Sequence, residues 1–175
     1  MLIKDKLELA KYFNGRGFKI GAEIGVLDGD YALTLCKEIP GLKYYGIDSW
    51  LIAENMPHHK HRGKYEHVLK ILEPYDATVI RKDSMEAVKD FENNSLDFVY
   101  IDANHMFDYV VKDIIEWAKK VKKGGIVAGH DYREGSTVGV IPAVDGYAKS
   151  HGYSVKITTS QEEEPSWYLE KRWNS

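Results

Sequence analysis

The chain has 175 residues, of which 43% are hydrophobic and 29% charged, a composition typical of one folded, soluble globular domain and not of a disordered chain. The formal net charge of −3 argues against a nucleic-acid binder held by a strong positive field, and no apolar run is long enough to span a bilayer. The first residues lack the apolar segment of a signal peptide, so we expect a cytoplasmic protein without nucleic-acid or membrane partners.

Short apolar runs alternate with amphipathic segments, a pattern typical of parallel strands joined by helices. In chain order the pattern predicts a helix over residues 2–13, a strand over 20–26, a helix over 30–39, a strand over 43–47, a helix over 65–72 and a strand over 77–80. It continues with a helix over 84–91, a strand over 96–101, a helix over 107–121, a strand over 126–128, a helix over 141–149 and strands over 153–158 and 167–170. Gly124 and Gly125 are interpreted as the end of the fifth helix.

These elements predict an α/β fold, a Rossmann-like, doubly wound and mostly parallel seven-stranded sheet. The short spacing of the last two strands predicts an antiparallel C-terminal edge strand. We interpret residues 1–175 as a single domain, in which residues 1–17 form an N-terminal helix and residues 18–175 form the Rossmann-like core. The single cysteine, Cys36, excludes an intrachain disulfide, and its place in an apolar helical stripe predicts a small core residue.

The first predicted strand leads into a glycine loop, at the edge of the sheet where doubly wound folds bind ligands. Within residues 23–29, Gly25 and Gly29 allow a sharp turn and a close approach of the backbone to a ligand. Their G-x-x-x-G spacing differs from the G-x-G-x-x-G of dinucleotide binders. The acids Glu23 and Asp28 would repel a pyrophosphate, but they suit a cofactor that carries an amino group and a positive sulfonium.

Further acidic residues follow the second and third predicted strands. Asp48, followed by Ser49, lies roughly 20 residues beyond the glycine loop, where a carboxylate accepts hydrogen bonds from ribose hydroxyls. Asp83 and Ser84 come directly after the third strand, where we expect them to reach an adenine amino group.

The glycine loop, Asp48 and the Asp83–Ser84 pair resemble the successive cofactor motifs of class I S-adenosylmethionine-dependent methyltransferases. The resemblance extends from residue 20 to about residue 172. In that family the first loop holds the methionine part, the acid after the second strand holds the ribose and the next acidic turn meets the adenine. The resemblance implies S-adenosyl-L-methionine as the cofactor, bound by Glu23, Gly25, Val26, Gly29, Asp48, Ser49, Asp83, Ser84 and Asp102.

Polar side chains also follow the two central strands. Asp102 and His105 come after the fourth strand, and His130 and Asp131 come after the fifth, so we expect all four to face one crevice. An alcohol acceptor must lose a proton to accept a methyl group, and His105 suits the role of base because the ordinary pKa of histidine lies near neutrality. Asp102 and Asp131 offer the oxygen ligands that Mg²⁺ prefers.

This arrangement is similar to that of the metal-dependent O-methyltransferases that act on sugar hydroxyls and catechols. In those families an acid ends the fourth strand, a basic group follows three positions later and a pair of ligands ends the fifth strand. The resemblance implies catalytic roles for His105 and Asp102, and a divalent cation held by Asp102, His130 and Asp131. His130 stands where those enzymes generally carry a carboxylate, which leaves Mg²⁺, Mn²⁺, Fe²⁺, Zn²⁺ or no metal open.

The sequence therefore predicts transfer of a methyl group to a small-molecule acceptor, with a hydroxyl oxygen as the preferred target. The Asn/Asp-Pro-Pro-Tyr/Phe signature of amine methylation is absent after the fourth strand, which disfavours RNA and protein substrates. Two alternatives stay open. One is a nucleotide-binding oxidoreductase, and the other is a methyltransferase-like module that binds the cofactor without catalysis.

Histidines are concentrated in the segment that follows the second strand, at His58, His59, His61 and His67. A solvated surface loop is the favoured interpretation, and a lid over the acceptor or a metal site are the alternatives. Because few elements cover this edge of the sheet, a second subunit of a homo-oligomer is a further hypothesis for completing a lid.

Overall fold

The computed structural model describes residues 2–50, 64–135, 139–159 and 164–173. The helices are α1 (Lys6–Gly15), α2 (Asp30–Glu38), α3 (Lys64–Leu72), α4 (Ser84–Ala87), α5 (Phe107–Lys120) and α6 (Val140–His151). The strands are β1 (Ile20–Ile24), β2 (Lys43–Asp48), β3 (Ala77–Arg81), β4 (Leu96–Ile101), β5 (Val121–Gly129), β6 (Lys156–Ile157) and β7 (Trp167–Glu170).

All seven strands form one sheet, in the order β3-β2-β1-β4-β5-β7-β6. Strands β1 to β5 run parallel to one another, and β7 runs antiparallel to both β5 and β6. The predicted fold class is confirmed, with the refinement that the antiparallel C-terminal strand lies second from the edge and β6 lies outermost. The strand order reverses between β1 and β4, which places the topological switch point at the ends of these two strands.

Helices cover both faces of the sheet and bury two apolar clusters. On one face, Phe13 of α1 stacks on Phe98 of β4 at a ring-centroid distance of 4.4 Å, and Cys36 of α2 is buried in the same cluster as predicted. On the other face, Trp117 of α5 and Val144 of α6 belong to the second cluster. Within the described residues, no helix combines the length and apolarity that a membrane crossing requires.

The boundary between α5 and β5 differs from the prediction. Val121 begins β5 instead of ending the helix, and Gly124 lies inside the strand. Leu96 of β4 pairs with Val121 of β5, and Phe98 pairs with Ile126. The additional residues of β5 between these two pairs form an irregular stretch of the strand. Gly124 allows it because its φ is 80°, a left-handed conformation that glycine adopts without a steric penalty.

Three other predicted elements differ in length. The first helix begins at Lys6 instead of residue 2, because Asp5 caps it by accepting a hydrogen bond from the Glu8 amide at 2.8 Å. The helix predicted over 84–91 is α helical only over Ser84–Ala87 and continues as a 3₁₀ turn. The strand predicted over 153–158 is limited to Lys156–Ile157, since the Tyr153 amide donates to Ala148 at the end of α6.

Candidate functional site

A cleft of about 630 Å³ opens at the carboxyl ends of β1, β2, β3 and β4. The residues predicted from the sequence that line it are Glu23, Gly25, Val26, Asp48, Ser49, Asp83, Ser84, Asp102 and His105. Gly29 instead occupies the position before α2, and His130 and Asp131 are only 9% and 4% exposed. The structure therefore brings the predicted cofactor motifs together with Asp102 and His105 in one cavity.

Gly25 joins the loop after β1 to the end of β4. Its φ is 90°, and a Cβ atom at this position would lie 2.0 Å from the carbonyl oxygen of Asp102. The loop is held further by hydrogen bonds from the Gly25 amide to Ile47 at 2.8 Å and from the Asp102 amide to Ile24 at 2.7 Å. Only glycine fits here, because any side chain would push the two backbone segments apart.

The carboxylate of Asp48 holds the same loop from the neighbouring strand. Its Oδ2 accepts hydrogen bonds from the amides of Val26 at 3.0 Å and Leu27 at 2.9 Å, and its Oδ1 accepts one from the Trp50 amide at 2.7 Å. A carboxylate has about four acceptor positions, so Asp48 keeps capacity for a ligand hydroxyl beside these three bonds.

Glu23 is a buried acid on the wall of the cleft, 2% exposed. Burial raises the pKa of Glu23 to about 8, even though the Tyr44 hydroxyl donates a hydrogen bond to it at 2.5 Å and Lys6 acts in the opposite direction. At neutral pH the carboxyl group is therefore mainly protonated, and a cation placed beside it would favour its ionised form. The other predicted acid of this loop, Asp28, forms an ion pair with Lys64.

At the β3 end of the cleft, the side chains of Asp83 and Ser84 have structural partners. Asp83 caps α4 by accepting a hydrogen bond from the Met85 amide at 2.8 Å. The Ser84 hydroxyl donates to Asp113 and accepts from the Trp117 indole at 2.8 Å, so its proton is not available to a ligand. Asp83 keeps further acceptor capacity towards the cleft.

Asp113 is a cleft residue that the sequence analysis missed. It is 5% exposed, and burial raises the pKa of its carboxyl group to about 6. Asp113 could have been predicted from its position on the apolar face of α5, one residue before Ile114, because a charged side chain buried there needs a partner. Its carboxylate lines the adenine end of the predicted cofactor site.

Asp102, His105 and Asp131 converge at the other end of the cleft. The Nε2 atom of His105 lies 2.9 Å from Oδ2 of Asp131 and 3.8 Å from Oδ1 of Asp102. Asp131 has a φ of 59°, an uncommon conformation that aspartate tolerates better than most residues. The predicted meeting of these three side chains is therefore present in the structure.

The charges at this centre are strongly coupled. The neighbouring carboxylates of Asp102, at 3.8 Å, and Asp131, at 2.9 Å, raise the pKa of His105 to about 10. Burial acts to raise the pKa of Asp131, but hydrogen bonds from His105 and His130 hold it below its ordinary value. In this arrangement the imidazole of His105 carries a proton at neutral pH, so its role as a base stays a prediction that requires the proton to leave first.

The donor atoms at this centre fit a divalent cation. One oxygen or nitrogen atom from each of Asp102, His105 and Asp131 lies within 4.8 Å of the others, which gives two carboxylates and one imidazole. His130 groups instead with Asp131 and Glu164, although its Nδ1 is 3.7 Å from Oδ2 of Asp102. A mixed nitrogen and oxygen set suits transition metals better than Mg²⁺.

The histidine cluster is only partly within the described residues. His58, His59 and His61 lie outside them, and His67 is an exposed residue of α3. The interpretations of this segment as a surface loop, lid or metal site stay predictions.

A comparison with known protein families finds a family model that matches more than half of the chain. Residues 22–132, more than half of the chain, match the model of a family described as a methyltransferase domain. The chain belongs to this methyltransferase family. The match ends just beyond Asp131 and includes every residue that was predicted to bind the cofactor or a metal. A search of curated proteins found no match.

The methyltransferase also resembles solved structures. The O-methyltransferase from Bacillus cereus, in complex with SAH, superimposes with a TM-score of 0.71 at 14% identity, covering 95% of this chain and 80% of that chain. The O-methyltransferase TomG from Streptomyces achromogenes, in complex with SAM, gives a TM-score of 0.69 at 13% identity and covers 95% of this chain and 79% of that chain. At this level of identity the likeness establishes a shared fold.

Proposed function

We propose that this methyltransferase transfers the methyl group of S-adenosylmethionine to a hydroxyl oxygen of a small molecule. The observation that carries the proposal is the shared cleft: the glycine loop, Asp48, Asp102 and His105 all line it, and Gly25 touches the backbone of Asp102. A methyl donor on the loop would therefore lie beside the polar centre. The O-methyltransferases with SAH or SAM bound share the fold and add support.

The chemistry of the cleft orients the cofactor. The acidic wall at Glu23 suits the ammonium and sulfonium charges, because a cation beside a buried carboxyl group stabilises its ionised form. The free acceptor position of Asp48 suits the ribose, and the carboxylates of Asp83 and Asp113 suit the adenine amino group. This order places the methyl group towards Asp102 and His105.

Methyl transfer needs an aligned acceptor and removal of its proton. In our proposal Asp102 and His105 position the acceptor hydroxyl at the end of the cleft. His105 first releases its own proton to solvent, and the neutral imidazole then accepts the proton of the hydroxyl while the oxygen takes the methyl group and the sulfonium becomes a thioether. Asp102, His105 and Asp131 are the residues that would hold a divalent cation, and an imidazole that coordinates an ion would not at the same time act as the base. When bound, such an ion lowers the pKa of a coordinated hydroxyl.

Calorimetric titration of the protein with S-adenosylmethionine, S-adenosylhomocysteine and NADH tests the cofactor. We expect binding of the first two ligands and none of NADH, whereas binding of NADH alone would establish the oxidoreductase alternative. An acceptor screen of catechols and sugar hydroxyls with isotopically labelled S-adenosylmethionine then tests the reaction. Tight cofactor binding without methylated product across a broad panel would favour a non-catalytic module.

A further inference from the structure

Lys6 brings a positive charge to the wall of an otherwise acidic part of the cleft. It occupies the first turn of α1, directly after the capping residue Asp5, and lines the cleft near Glu23 and Tyr31. Buried residues Leu9 and Phe13 fix α1 against the core, so Lys6 has a defined position. It precedes the segment that matches the family, residues 22–132.

Among the described residues, the positive charge of Lys6 acts on the pKa of Glu23 without a direct contact. No hydrogen bond or ion pair joins the Lys6 ammonium group to that part of the chain, and its Nζ lies 5.7 Å from the centre of the Tyr31 ring. The side chain is half-buried, so it is not simply a solvated surface lysine. By contrast, Lys82 at the far end of the cleft pairs with Asp90 at 2.5 Å.

Tyr31 also lines the cleft, and it carries a second donor that has no partner among the described residues. It is 7% exposed, and its buried hydroxyl has no hydrogen-bond partner among the described residues. Its ring packs on Tyr100 at a centroid distance of 4.3 Å, which holds the side chain in place. A buried hydroxyl without a partner destabilises a protein unless a ligand satisfies it.

An ammonium group without an ion pair and a hydroxyl group without a hydrogen-bond partner, both on residues that line the cleft, match the needs of a carboxylate, which accepts hydrogen bonds and is stabilised by a cation. We propose that Lys6 and Tyr31 form the subsite for the α-carboxylate of the cofactor, opposite Glu23, which faces its α-ammonium group. The inference rests on the proposed function, since it requires S-adenosylmethionine in this cleft. It assigns a cofactor-binding role to α1.

Two ligands that differ only in this carboxylate test the subsite. Calorimetry should compare S-adenosylmethionine with its decarboxylated form, which keeps the adenosine, the sulfonium and the amine. We expect Lys6→Met to weaken binding of S-adenosylmethionine by roughly tenfold or more and to change binding of the decarboxylated form by less than about twofold. Lys6→Arg should keep most of the affinity for both, and the exposed Lys11→Met on the same helix is the matched control.

Tyr31→Phe provides an independent readout because it removes only the unsatisfied oxygen. We expect the free variant to melt at or above the wild-type temperature, while its affinity for S-adenosylmethionine falls and that for the decarboxylated ligand does not. Equal effects of Lys6→Met on both ligands, or no effect on either, would overturn the subsite while the cofactor assignment stands. Failure of the wild-type protein to bind either ligand would overturn the proposed function and the subsite with it.

Discussion

Asp48 accepts a hydrogen bond from the backbone amide of Leu27 at 2.9 Å, and Leu27 has a φ of 52°. The backbone amide of Trp50 also donates a hydrogen bond to Asp48, and Trp50 has a φ of 44°. The indole of Trp50 donates a hydrogen bond to the Leu27 carbonyl at 3.0 Å. Left-handed conformations are strained for such side chains. One carboxylate thus stabilises two strained residues at the mouth of the cleft.

Asp48→Asn should therefore disrupt the cleft even though the side chain keeps its size. Its amide group presents N–H donors towards backbone N–H groups, so we expect a loss of roughly 1–3 kcal/mol in the free energy of unfolding. Affinity for S-adenosylhomocysteine should fall by about tenfold or more because the loop shape is lost. Chemical denaturation and calorimetry measure the two effects.

Asp97 is the matched control for that substitution. Its carboxylate accepts hydrogen bonds from the amides of Lys19 at 2.7 Å and Ile20 at 2.8 Å, and it does not line the cleft. We expect Asp97→Asn to lower stability and to leave ligand affinity unchanged. If both variants lost affinity in proportion to their stability, the role of Asp48 in shaping the cleft would be refuted.

Glu23 should make stability depend on pH. Its pKa rises from 4.5 in the unfolded chain to about 8 in the folded protein, so its stabilising contribution is complete below pH 4.5 and is lost as pH rises through 8. The upper bound of the loss is about 5 kcal/mol, at about 1.4 kcal/mol per pKa unit. Compared with wild type, Glu23→Gln should gain relative stability between pH 5 and 8. A difference that stays constant over this range would contradict the shift.

Substitution of the two histidines distinguishes the candidate metal ligands. Because His105 groups with both Asp102 and Asp131, we expect His105→Ala to abolish the rise in melting temperature that Co²⁺, Mn²⁺ or Zn²⁺ produces in the wild-type protein. His130→Ala should keep most of that rise. The opposite result would favour the ligand set of Asp102, His130 and Asp131 that was predicted from the sequence. If none of these ions raised the melting temperature of the wild-type protein, the result would argue against a metal site.

Asp113 should oppose folding once it is ionised. Its pKa rises from 3.8 to about 6 through burial, so its stabilising contribution is present below pH 3.8 and is lost as pH rises through 6. We expect Asp113→Asn to be more stable than wild type above pH 6, by at most about 3 kcal/mol. The exposed Asp108→Asn on the same helix should show no such change with pH, and thermal melts from pH 4 to 8 compare the two.

The alternation of strands and helices could be predicted because a strand that is buried on both faces is a nearly continuous apolar run in the sequence. In β4, for example, five of six residues are buried. The start of β5 could not be predicted, because Val121 continues the helical spacing of α5 and a strand with an irregular stretch has no simple period. Gly124 is a conformational break, as predicted, but it lies inside β5 and not at the end of α5.

The site was predictable where strand ends determine it. Asp48 and Asp102 follow directly from the rule that ligands bind at the carboxyl ends of strands. The meeting of His105 with Asp102 and Asp131 follows from the same rule.

The grouping of His130 with Asp131 and Glu164 does not follow from this rule, because Glu164 lies far along the chain, just before β7. Lys6 and Asp113 come from helices, and their approach to the cleft depends on how α1 and α5 pack.

The backbone contact between Gly25 and Asp102 also bears on the kinetic scheme. With no side chain between the two backbone segments, we expect a ligand that displaces the first loop to shift the segment carrying Asp102 as well. Occupancy by the methyl donor should then affect the place where, in our proposal, the second substrate docks. We expect an ordered sequential mechanism in which the methyl donor binds before the acceptor.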